Sequence, residues 1–239
     1  MYNKLTPMTI TADQLLAYPL FAGLGNDELA NLASVLVKRS FAKGTYLFHP
    51  GNSVMNMYLI ESGMVRVFFT NSRGKEFTLT LLGPASSVGM PIVREEQTRL
   101  LGASAATPLV TLVLAQTDLL RIAQKSPALM RNVHGLINTY IQNLLFHVRS
   151  LVMLSVNGRL ATVFLQFGQV IQVKAIEKDV IELPLSQADL ASWIGASRGQ
   201  VNRALMRFQE LGLIHVEGQR IIILDRAGLE HISDDLVSD

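Results

Sequence analysis

Apolar positions change their spacing several times along the chain, and each change marks a different kind of element. Residues 11–39 place apolar side chains every three or four positions, in "TADQLLAYPLF" and "NDELANLASVLVKR". That is the spacing of short amphipathic helices. Asn26 reads as the N-cap of the second, with Asp27 and Glu28 in its first turn against the positive end of the helix. From about Ser40 to Ala115 the runs become short and apolar or alternating: "YLFH", "NMYLI", "VRVFF", "FTLTLL", "LVTLVL". Turn residues separate them at Gly44, Pro50-Gly51, Ser62-Gly63, Asn71 to Gly74, Gly83-Pro84 and Pro108. Many short strands at near-even spacing predict an antiparallel barrel or sandwich.

A helical texture returns at Ser126-Pro127, an N-cap followed by a proline at the first helical position. No proline interrupts it before Val156, and Gly135 is its one glycine. Two apolar seams run along it. One holds Val133, Ile137, Tyr140, Leu144, His147, Leu151 and Leu154; the other holds Leu136, Ile141, Leu145, Val148 and Val152. A helix apolar on two faces must bury both. One face fits the strand module and the other fits a second copy of the helix. A parallel coiled-coil-like dimer across Val133, Ile137, Tyr140, Leu144, His147 and Leu151 is the expectation. A single helix buried inside one domain satisfies the same pattern.

After Asn157-Gly158 and a shorter helix, "RLATVFLQFGQ", comes "LSQADLASWIGASRGQVNRALMRFQELGLI". Ser186 with Asp189 three residues on predicts a capping box opening one helix. Gly195 ends that helix, since glycine adopts the left-handed conformation at little cost. Ser197 caps a second, which runs to about Leu211 before Gly212. Leu190, Ile194, Val201 and Leu205 can pack the two together, leaving Arg198, Gln200, Asn202, Arg203 and Arg207 outward. That is the design of a helix-turn-helix. Two strand-like runs around Glu217-Gly218 add a β-hairpin wing. A helical hairpin with no nucleic-acid role is the bland alternative.

Composition narrows these readings. The chain has 239 residues, enough for two compact domains. No apolar run is long enough to span a bilayer and no secretory signal is evident, so a cytoplasmic protein without a membrane partner is expected. Zero cysteines leave no disulfide, no thiolate-ligated zinc and no Cys-held iron–sulfur cluster. The net charge is +2, yet residues 181–239 carry 5 basic against 9 acidic side chains. DNA contact there must come from a local cluster.

A strand-rich roll, a long helix and a winged helix-turn-helix, in that order, resemble the Crp/Fnr family of bacterial transcription regulators. The resemblance runs from about Phe21 to Leu224. It is carried by "FAKGTYLFHPGN", "YLIESGMVRVFF", the Gly83-to-Gly89 stretch, Asn157-Gly158-Arg159 and "LSQADLASWIGASRGQVNRAL". It implies an α+β fold: an N-terminal antiparallel β-roll of the cyclic-nucleotide-binding type (1–125), a long dimerisation helix (126–156) and a winged helix-turn-helix (157–239). It also implies a homodimer on a two-fold symmetric double-stranded DNA site, a small effector between roll and long helix, and RNA polymerase as a partner. Arg203 matches the family arginine that reads guanine, a bidentate pairing. Arg198 matches a second family arginine with a base or phosphate role; Ser197 and Gln200 sit at phosphate-contacting positions, and Asn202 completes the set. Gly199 stands where well-known members carry a glutamate facing cytosine, so the half-site should keep a guanine and differ elsewhere.

The resemblance also places the effector. In cyclic-AMP-binding members the nucleotide is held by a glutamate, an Arg-Ser pair and a Thr-Ser pair. Here those positions read Met90, Arg99-Leu100 and Leu144-Leu145. Together with Tyr140 they form the expected pocket. Four of the five polar partners are replaced by apolar side chains, and each polar group left unsatisfied costs about 1–3 kcal/mol. Cyclic AMP is therefore not the expected effector. An apolar or aromatic molecule with one acidic group near Arg99 is one reading; haem held by His134 or His147, sensing nitric oxide or carbon monoxide, is the other. The expected switch rotates the winged helices about Asn157-Gly158 until both match grooves ~34 Å apart. A cyclic-nucleotide-type regulatory module without DNA binding is the competing class. No catalytic motif supports an enzyme and no metal site is expected.

Overall fold

The computed structural model describes residues 10–89, 98–170, 180–182, 186–218, 220–234 and 236. The chain divides into two compact units, Met1–Ile141 and Gln142–Asp239.

In the first unit, α1 (Ala12–Leu16) and α2 (Asn26–Val35) flank a single 3-10 turn at Pro19–Phe21. The N-cap of α2 is Gly25, one residue before the expected Asn26, because the Glu28 carboxylate reaches back 2.9 Å to accept from the Gly25 N–H. The helix also stops earlier than its apolar spacing implies. Leu36 is extended, and Val37–Phe41 forms β1, paired to Leu109–Ala115, here β8. Pairing along a whole strand outweighs the weak helical preference of the β-branched Val35 and Val37.

Between them lie β2 (Tyr46–Phe48), β3 (Asn56–Ser62), β4 (Val65–Thr70), β5 (Glu76–Leu82), β6 (Ser87–Val88) and β7 (Gly102–Ala105). They form two four-stranded antiparallel sheets, ordered β1-β8-β3-β6 and β2-β7-β4-β5. Strand alternation explains why the central runs read as apolar throughout. Tyr58, Ile60 and Val113 face a core with Val65, Val67 and Ala103 of the other sheet. Met57, Leu59, Leu112 and Leu114 face a second core built on Phe21, Leu29, Leu32, Leu119 and Leu129. β7, "GASA", carries no large apolar residue because the Phe68 ring lies over it: a Cβ on Gly102 would come within 2.2 Å of that ring. Gly63 has φ +84, and its Cβ would sit 2.2 Å from the Pro108 carbonyl oxygen. Only glycine fits that turn.

After α3 (Gln116–Ala123) comes the long helix α4 (Pro127–Met153), capped by the Ser126 hydroxyl, which accepts from the Leu129 N–H at 3.1 Å. The Asn132 amide donates to the Leu20 and Ala22 carbonyls, tying α4 to the 3-10 turn. The next helix, α5, spans Val156–Val170. Asn157-Gly158 therefore lies in its first turn and is not the break between helices. The break is Leu154-Ser155, where the Ser155 hydroxyl accepts from the Gly158 N–H at 3.1 Å. The Arg159 Nη1 donates to the Leu151 carbonyl across the break, at 3.0 Å.

The second unit continues with β9 (Val180–Glu182), α6 (Gln187–Trp193), α7 (Arg198–Glu210), β10 (Ile214–Glu217), β11 (Arg220–Ile223) and α8 (Arg226–Ser233). The expected hairpin forms around Gly218, which has φ +62. β9 adds a third strand, giving the order β10-β11-β9.

Candidate nucleic-acid interface and effector site

Both helices of the α6–α7 pair begin with a reciprocal cap. The Ser186 hydroxyl accepts from the Asp189 N–H at 3.1 Å, and the Ser197 hydroxyl accepts from the Gln200 N–H at 3.3 Å. Such boxes fix where each helix starts and satisfy its first donors. Gly195 joins the helices at φ +62, with the Leu151 side chain closing on the place where a Cβ would be. Leu190, Ile194, Val201, Ala204, Leu205 and Phe208 are buried, and the Phe164 ring of α5 meets Phe208 edge-on. This anchors one face of α7. Ser197, Arg198, Gln200, Asn202, Arg203 and Arg207 are all exposed, and the opening turn of α7 carries no acidic side chain. Gln200 differs from the expectation in one respect. Its Oε1 accepts from the Ser197 N–H at 2.8 Å, so that oxygen is committed to the cap.

Within the first unit, two of the expected effector residues converge on the segment 87–89. The Tyr140 hydroxyl donates to the Ser87 carbonyl oxygen and lies 3.3 Å from the Ser87 hydroxyl. Burial pushes the Tyr140 pKa up, and the Ser87 hydrogen bond opposes that. Arg99 is 8% exposed. Its guanidinium stacks 3.8 Å over the Phe48 ring, its Nη2 donates to the Asn56 carbonyl at 2.6 Å, and its Nη1 lies where a Gly89 Cβ would point. Burial lowers its pKa. Among the described residues no carboxylate pairs with it, and its Nε has no acceptor. Leu100 does not join this cluster: it falls in the bend that precedes β7 and is 85% exposed. Met90 lies outside the described residues. Leu144 and Leu145 are exposed on α4 beyond the boundary between the two units.

Two residues of the expected dimer seam have partners within the chain. Val133 is packed into the chain's own helical core, and Tyr140 is held by Ser87. The exposed apolar side chains of α4 include Ile137, Ile141, Leu144, Val148 and Leu151, flanked by Leu145, Phe146, Val152 and Met153. The first five follow alternating four- and three-residue steps, a heptad pattern drawn from both expected faces. His147 is half-buried; burial, then the charge of Arg159, holds its pKa below the ordinary value. His134 is exposed. Among the described residues no group of three or more His, Asp or Glu side chains is placed to hold a metal, and no helix is long and apolar enough to cross a membrane.

Comparison with known proteins places this architecture. Residues 38–126 match the cyclic nucleotide-binding domain, and residues 158–232 match the Crp-like helix-turn-helix domain. The cyclic AMP receptor protein of Thermus thermophilus is 27% identical, over 90% of this chain and 96% of the relative. The anaerobic regulatory protein of Bacillus subtilis is 26% identical, over 85% and 86%. The solved structure of FixK2 from Bradyrhizobium japonicum shares the fold, with a TM-score of 0.76 at 19% identity, covering 86% of this chain and 100% of that one. Matched in both halves, and aligned with such regulators over most of its length, the chain belongs to the Crp/Fnr family of non-enzymatic transcription regulators.

Proposed function

We propose that the protein is a cytoplasmic homodimer, joined along α4, that reads a two-fold symmetric DNA site through α7. Its affinity is switched by a small effector with an apolar or aromatic body and one acidic group; RNA polymerase is its partner on the promoter. Arg99 carries this reading. Burying an arginine with no carboxylate partner among the described residues costs several kcal/mol on the scale of ion desolvation, and an orphaned donor beside it calls for an acceptor. An acidic group supplied by a ligand meets both needs. Cyclic AMP fits poorly, because the partners of its ribose and phosphate are replaced by Met90, Leu100, Leu144 and Leu145.

Occupancy can favour DNA binding only as far as the effector prefers the DNA-competent arrangement. Tyr140 is the natural relay, since it sits on α4 and its hydroxyl is held by the strand segment that Arg99 also touches.

Native mass spectrometry of the freshly purified protein, with an absorption spectrum of the same sample, tests this. A small organic adduct, absent in Arg99→Met and unaccompanied by a Soret band, is the expected result. A haem-sized adduct with a Soret band, or tight stoichiometric binding of added cyclic AMP, would overturn the effector class.

A further inference from the structure

Two residues of α7 have no structural reason to be what they are. Gly199 is the second residue of α7, where glycine adds nothing to helix stability over alanine. Its φ is not in the left-handed region, and a Cβ there would meet only the Arg203 Nη1, at an ordinary 3.7 Å. Neither packing nor backbone conformation requires a glycine. Met206 is 58% exposed, an unbranched apolar side chain on a face that is otherwise polar.

The two belong to one stripe. Gly199, Arg203, Met206 and Glu210 fall at i, i+4, i+7 and i+11, one face of a helix. The buried stripe Val201, Ala204, Leu205 and Phe208 lies on the other side. The stripe therefore points straight out of the domain, with the guanine-reading candidate at its centre. A helix with no side chain at its second position can press closer to whatever it faces. Met206 then follows Arg203 by three residues, about 4.5 Å along the axis, of the order of one base step.

We propose that Met206 is a base-reading residue that packs on the 5-methyl group of a thymine in each half-site, and that Gly199 is the gap that lets it approach. Apolar side chains discriminate thymine in the major groove through that methyl, and Met is long and adaptable enough to reach it. The proposal rests on the reading of α7 as the groove helix.

The test begins with operator selection from a random duplex library by the full-length protein, in clarified cell extract so that native small molecules are present. Each thymine of the enriched half-site is then replaced, in both halves, by deoxyuridine, which deletes only the methyl. Burying one methyl is worth about fourfold in affinity per half-site, hence about fifteenfold over both. One thymine position should show that loss. The loss should vanish in Met206→Ala and persist in Met206→Leu. Tolerance of deoxyuridine at every position, or a thymine preference unchanged in Met206→Ala, overturns the proposal. Arg203→Ala separates the two levels. If that variant binds the duplex as the parent does, the reading of α7 itself fails. If it loses binding while deoxyuridine is tolerated everywhere, only the methyl contact fails.

Discussion

Replacing Arg99 by methionine removes a buried cation and leaves a side chain of similar length. The losses can be counted from its contacts. The charged hydrogen bond to the Asn56 carbonyl is worth about 1.5–3 kcal/mol, and the stack on Phe48 about 0.5–2 kcal/mol. Against them stands the relief of a buried charge that no carboxylate among the described residues compensates, several kcal/mol. The terms nearly cancel, so Arg99→Met should change stability by no more than about 1.5 kcal/mol in either direction. For a protein of this size that is a shift of at most ~6 °C in Tm. Thermal unfolding by circular dichroism measures it, and the same variant should no longer respond to the effector. A fall in Tm of more than ~10 °C would refute the reasoning, because the guanidinium would then be holding the roll together.

Other consequences follow from the same geometry. Ile141→Glu with Val148→Glu places like charges along the exposed seam of α4; sedimentation should show monomers with an unchanged helical spectrum. If the double variant stays dimeric, the dimer forms elsewhere. The His147 pKa is lowered on folding, so the unfolded chain binds its proton more readily and stability falls as pH drops from about 6.5 through the folded value. His147→Gln should flatten that acidic slope in urea titrations between pH 5 and 7; an unchanged slope assigns it to another group.

The winged helix was legible because its signals are local. Ser186 with Asp189, the Ser197 cap, Gly195 and Gly218 each act within a few residues, so spacing alone located them. What escaped depends on distant partners. β7 could not be read because Phe68 supplies its bulk, and β1 because β8 decides the fate of residues 37–41. The break after α4 fell at Leu154-Ser155 because Ser155, not Asn157, caps the next helix. Leu100 was paired with Arg99 by resemblance, whereas the bend before β7 leaves it exposed. The long helix was ambiguous for a related reason. Both seams of α4 are apolar, and only the packing of Val133 and the bond from Tyr140 to Ser87 show which positions are already taken. Met206 was passed over because an exposed methionine resembles any other surface residue until the buried stripe opposite it is known.

The central claim is that a dimer reads DNA through α7, and titration of one duplex by two proteins tests it most directly. Fluorescence anisotropy with the selected operator, for the parent chain and for Arg203→Ala, is run beside sedimentation of the same samples. The exposed arginine makes no contact that the fold needs, so both should sediment as dimers. The variant should lose about 1–3 kcal/mol per half-site and retain its weak binding to unrelated duplexes. Equal affinities for the operator, with both proteins dimeric, would contradict the account.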